Sequence, residues 1–151
     1  MPLFFGILPR NLLSVNLITQ RRMIMGIRLI KISVVYLVIS TVLAMYMSIT
    51  EILTLSTVHS HISCLGWTML ALSGLFYHLF PELEKKLLSK LYFWLANIGL
   101  PIMIVGVAIY FYNQSGWVKA VISIGAIPLS VGIILFALGI LLRFPQGKRI
   151  S

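Results

Sequence analysis

Four long apolar runs, at residues 29–50, 59–80, 91–112 and 118–142, are separated by short stretches carrying charge or turn residues such as Asn113-Gln114-Ser115-Gly116. Each run reaches the roughly 20 residues a helix needs to cross the hydrocarbon of a bilayer. Because the connections are short, consecutive helices are expected to be antiparallel neighbours. The pattern predicts an all-α membrane protein, a four-transmembrane-helix antiparallel bundle over residues 29–142. An N-terminal basic or amphipathic segment, 1–28, precedes it and a basic tail, 143–151, follows. Residues 1–20 are apolar but broken by Arg10 and two prolines. They read as an interfacial segment, an uncleaved leader, or sequence ahead of a true start at Met23 or Met25.

Composition agrees with this. Hydrophobic residues make up 60% and charged residues 10% of the 151, with mean hydropathy +1.03, whereas a soluble domain is about a quarter charged. The net charge of +9 would suit a nucleic-acid surface, but its placement has an ordinary explanation. Arg10, Arg21, Arg22, Arg28 and Lys31 precede or open the first span, and Lys85, Lys86 and Lys90 lie between spans two and three. Arg143, Lys148 and Arg149 follow span four, which leaves Lys119 alone on the other side. That asymmetry follows the positive-inside rule, so both termini are expected to be cytoplasmic and the turn at 51–58 outward. The lipid bilayer is then the partner the charge serves, and no nucleic-acid partner is expected.

Chemistry has few residues to work with. The lone Cys64 cannot form an intramolecular disulfide. Three acidic residues, Glu51, Glu82 and Glu84, all fall near helix ends, so no carboxylate pair sits within a span. Two of the three histidines, His59 and His61, open the second run. Ionisable residues inside a span usually face a partner, a cavity or a cofactor, and a neutral imidazole ligates metals and haem iron. Residues at i and i+2 point about 200° apart on a helix, so one ion shared by both is disfavoured. On a helical wheel Ser63, Gly66, Ser73, Gly74 and Tyr77 share the side of His59. Leu65, Thr68, Leu72, Leu75 and Leu79 share that of His61. The small-residue face accommodates either a flat cofactor or a closely packed helix. His78, about 28 Å further along the helix, reads as an interfacial residue.

The stretch H-x-H-I-x-x-L-G-W-x-x-L-A-L-x-G-L-x-Y-x-L-F-P, from His59 to Pro81, resembles the second transmembrane helix of the catalytic subunit of the haem-copper oxidase superfamily. It is nearest to the nitric oxide reductases in its histidine, tryptophan, Gly74 and Tyr77-x-x-x-Pro81 ending. F-W-x-x-N-I-G-L-P, Phe93 to Pro101, is similar to the following helix of short bacterial proteins described as cytochrome-oxidase-subunit-I-like. The resemblance spans about 57–109. It implies a bacterial inner-membrane, multi-pass, b-type cytochrome, with haem b held near the outer face by His59 or His61. His59 is ranked first for its place on the glycine face. Ser63, Gly66 and Gly74 would lie against the haem.

The chain departs from the complete enzymes in stopping after four spans, with no histidine in spans one, three or four. Ala96 stands where a histidine would have been welcome. A second axial ligand is expected from another protomer, making a homo-oligomer, or from Met45 or Met47. Otherwise the iron is open to nitric oxide or oxygen. Lys119 is a candidate propionate partner, or a headgroup anchor beside Trp117. The expected activity is electron transport to an unidentified redox partner, or gas binding, with no complete catalytic centre in one protomer. The alternative is a non-enzymatic accessory bundle, or an oligomer in which His59 and His61 bind copper or zinc. A transporter is disfavoured, because the four spans show no inverted repeat.

Overall fold

A computed structural model describes residues 24–84 and 86–142; the predicted N-terminal segment before Ile24, Lys85 and the basic tail lie outside the described residues. Among these residues every regular element is a helix. We number the helices α1 (Ile24–Thr50), α2 (the consecutive segments Ser56–His61, Ile62–Met69 and Leu70–Leu79), α3 (Pro81–Glu84), α4 (Leu87–Tyr110) and α5 (Gly116–Leu141). Four helices are long and apolar enough to cross a membrane. Three of them start three to five residues before the limits drawn from the apolar runs, and α5 starts two before, at Gly116. Arg28 and Lys90 therefore lie inside helices. Long basic side chains reach from the first turns of a spanning helix to the headgroups, so a helix runs on past its apolar stretch.

Packing forms two antiparallel hairpins, α1 on α2 and α4 on α5. In the first, Gly26 approaches Gly74 and His78 while Tyr36 meets Gly66; in the second, Gly99 approaches Gly125 and Leu129, and Gly106 meets Ile122. Small residues at these crossings let backbones touch, the usual way membrane helices gain contact where no hydrophobic drive exists. An aromatic cluster joins the hairpins towards one end. The rings of Tyr92 and Phe136 stack at 5.1 Å, and Tyr77 meets Phe136 edge-on at 5.7 Å. Within it the Tyr92 hydroxyl donates to Ser73 Oγ at 2.8 Å, which itself donates to the Leu70 carbonyl. This antiparallel order places Arg28, Lys31, Lys86 and Lys90 at one end of the bundle. The first turns of α2, the C-terminal turns of α1 and the first turn of α5 lie at the other.

Two local devices turn the chain. Glu51, just past α1, adopts a left-handed φ of 57°, the conformation that commonly ends a helix. It leads through a 3-10 turn, Leu53–Leu55, into α2. At the basic end Glu84 Oε1 accepts the Gly26 N–H at 2.7 Å, satisfying an orphan donor in the first turn of α1. Partial burial raises the Glu84 carboxyl above its ordinary value, against the opposing pull of the Gly26 and Met25 amides and of His78.

The folded protein thus binds this proton more tightly than the unfolded chain does. The contribution to stability is greatest in acid and is lost as pH rises from the ordinary carboxyl range through the folded pKa. In Glu84→Gln the acceptor oxygen remains and the titration is gone. The wild type minus Glu84→Gln difference in Tm is expected to fall as pH rises through that window. A pH-independent difference would refute the assignment. Glu84→Ala loses the cap itself and is expected to cost about 1 kcal/mol.

Candidate functional site

The N-terminal half of α2 is wound more loosely than an α-helix. Residues Ile62–Met69 form a π-helical stretch, and Thr68 Oγ1 donates to the carbonyl of Ser63, five residues back, at 3.1 Å. Buried positions recur at Val58, Ile62, Gly66 and Leu70, every fourth residue, before Ser73, Gly74 and Tyr77 resume helical spacing. Wider turns rotate the start of the helix relative to its end. Val58 therefore lies on the buried seam, and His59 and His61 flank it, both partly exposed. Such π-turns inside helices are frequent at functional sites.

The two histidines differ in their surroundings. His61 Nδ1 lies 2.7 Å from the Thr57 carbonyl oxygen, one turn back. A carbonyl only accepts, so Nδ1 is the donor in this contact and Nε2 is the ring nitrogen it leaves unengaged. This is the arrangement that fixes the tautomer and ring orientation of a ligating histidine. The ring borders an open groove of about 280 Å³ that Ser60, Cys64 and Leu65 of the same helix complete. The second-ranked histidine of the sequence reading is thus the one whose imidazole is oriented.

The small-residue face that the sequence left open between cofactor and helix is taken by a helix. A Cβ at Gly66 would lie 2.7 Å from Cγ and Cδ1 of Tyr36, and one at Gly74 would lie 2.8 Å from the Gly26 oxygen and Ile30 Cγ1. A haem plane therefore does not fit against Gly66 and Gly74 within this bundle. Ser63, partly exposed, lies beyond the closed part of that seam. What does fit a haem is the oriented imidazole of His61 beside an open groove.

Met45, Met47 and Lys119 share the histidine end of the bundle without converging on it. Met47 is buried, whereas Met45 is 60% exposed. Lys119 is exposed on the first turn of α5, which packs on α4. Ala96 is buried in the core, and His78 lies at the opposite, basic end beside Gly26. Among the described residues no three of His, Cys, Asp and Glu stand where they could hold a metal ion. A copper or zinc site built on His59 and His61 would accordingly need ligands from more than one protomer.

Neither the Thr57 carbonyl nor the π-helical stretch was found from the sequence. The four-residue spacing of Val58, Ile62, Gly66 and Leu70 is a pattern of burial in the folded bundle, not one of residue type along the chain. Compared with protein-family models, curated proteins and solved structures, the chain matches none.

Proposed function

We propose that this is a membrane b-type haem protein of the haem-copper oxidase and nitric oxide reductase-like group, carrying electrons or binding nitric oxide or oxygen near the outer face. The observation that carries the reading is the His61 Nδ1–Thr57 carbonyl contact of 2.7 Å, which leaves Nε2 free beside an open groove. His61 is the proposed protein ligand. Its counterpart in a second protomer completes the coordination across a two-fold axis, so haem binding and homo-oligomer formation are one event. Haem iron supplies one-electron exchange or a gas-binding position; the chain supplies the ligand, its orientation and the apolar surroundings. The one-sided distribution of basic residues supports the outward placement of this end, in a bacterial inner membrane as the sequence resemblance implies.

A second reading is favoured by the closed glycine seam, which leaves Gly66 and Gly74 with a packing role. It is a non-enzymatic accessory bundle, with copper or zinc bound by histidines of several protomers as a variant. Visible spectra of protein purified after expression with ample haem separate these readings. The haem reading expects a Soret band and sharp reduced bands after dithionite. A shift on adding nitric oxide marks an open iron, and no shift marks a six-coordinate electron carrier. Absence of a Soret band refutes the haem reading, and metal analysis then tests for copper or zinc.

A further inference from the structure

The two hairpins meet through α2, α4 and α5, and the seam between α1 and α4 stays open along much of its length. At its basic end is a cleft of about 260 Å³ lined by Met25, Arg28, Glu84, Lys90, Phe93 and Trp94. Arg28 and Lys90 are exposed and come from different helices, so two cations converge on one space. Glu84 is the carboxylate on this wall, and its Oε1 is engaged by the Gly26 amide, which leaves the cations in excess. Trp94 is 63% exposed, as expected of an indole at headgroup level.

Deeper along the same seam a second cleft, of about 430 Å³, lies between Ile32, Tyr36 and Ile39 of α1 and Pro101 and Val105 of α4, over Ile62. Its walls are almost wholly apolar. From Arg28 to Ile39, and from Lys90 to Pro101, the helices advance about 16 Å, a depth an acyl chain spans and a free anion does not. The charged mouth and the apolar channel share one seam and one direction.

We propose that the α1–α4 seam is a binding site for an anionic phospholipid, its phosphate held by Arg28 and Lys90 and one acyl chain lying in the cleft beside Tyr36 and Val105. Basic pockets between spanning helices are suited to such headgroups, and the apolar channel selects a lipid over inorganic phosphate. Occupancy would tie together two hairpins that touch little on this side. The inference is independent of whether the other end holds haem.

Native mass spectrometry and thermal melts of the detergent-purified chain test it, with dioleoylphosphatidylglycerol, dioleoylphosphatidylcholine and inorganic phosphate as probes. The anionic lipid is expected to be retained and to raise the Tm, and the other two are not. Arg28→Gln/Lys90→Gln is expected to weaken its retention roughly tenfold. Lys31→Gln/Lys86→Gln removes the same charge from the same end but not from the cleft, and should bind as the wild type. Val105→Trp, which fills the channel, should also lose the lipid while keeping its helical circular dichroism. Equal loss in the two double variants would show a diffuse charge effect and overturn the site. Equal retention of phosphatidylcholine, or equal stabilisation by inorganic phosphate, would overturn the anionic-lipid assignment.

Discussion

The Gly125→Val variant is expected to lose the α4–α5 hairpin, with a destabilisation of about 3 kcal/mol or more. At this crossing there is backbone on every side. A Cβ on Gly125 would collide with the Met103 amide nitrogen and would lie 2.7 Å from the Gly99 oxygen and 2.8 Å from Met103 Cα. Flexible side-chain ends yield to such contacts, but main-chain atoms move only if the helices separate. Separation would also withdraw Gly99, whose own Cβ position is 2.6 Å from the Gly125 oxygen. It would loosen Phe136 from the aromatic cluster that joins the hairpins. Since a domain of this size is stable by only about 5–15 kcal/mol, most of the cooperative transition should be lost. Gly139→Ala is the matched control, because nothing lies within 4 Å of its added carbon. Helix propensity predicts that it is neutral or stabilising by up to about 1 kcal/mol. Thermal melts in detergent, followed by circular dichroism, should rank the two far apart; similar melting temperatures would mean that the helices are not in backbone contact.

The four spans were legible because the bilayer makes the strongest demand on the sequence, a helix-length run without charge. Their ends were less legible for the same reason. Apolar length measures the hydrocarbon a span needs, whereas Arg28 and Lys90 belong to helices that run on past their apolar stretches. Hairpin pairing followed from short loops. The α4–α5 crossing does leave a trace in the sequence: glycines seven residues apart in both helices, Gly99 with Gly106 and Gly125 with Gly132, put small residues on one face of each partner.

At the start of α2 the sequence misleads in phase. A wheel at 100° per residue put His59 on the seam with Gly66 and Gly74. The i+5 winding of Ile62–Met69 turned Val58 onto it instead. Local winding of that kind depends on what α1 presents, with the Tyr36 ring pressed on Gly66, and no pattern within α2 alone reports it. The Thr57 carbonyl was hidden for another reason. Main-chain oxygens are present at every position, and only the side-chain rotamer decides which one a histidine finds.

The wider consequence of that phase shift is a split between the two histidines. His61→Ala is expected to abolish the Soret band at unchanged helicity, with haem affinity falling at least as far as the roughly 10–100-fold that loss of a mere supporting group costs a metal site. His59→Ala should retain the band, because no oriented ring is lost. Thr57→Val should retain it as well, since the acceptor is the carbonyl of residue 57 and not its hydroxyl. Under the two-fold arrangement His61→Ala should also reduce the haem-dependent oligomer to protomers in size-exclusion chromatography. Adding imidazole to that variant should restore part of the absorbance without restoring the oligomer, because a free ligand occupies the iron but links no chains. If His59→Ala loses the haem and His61→Ala keeps it, the Thr57 contact is an ordinary side-chain bond and the glycine-face reading returns. That outcome would require α1 to move off Gly66 and Gly74, which Tyr36→Ala, by clearing the ring from Gly66, should then make easier.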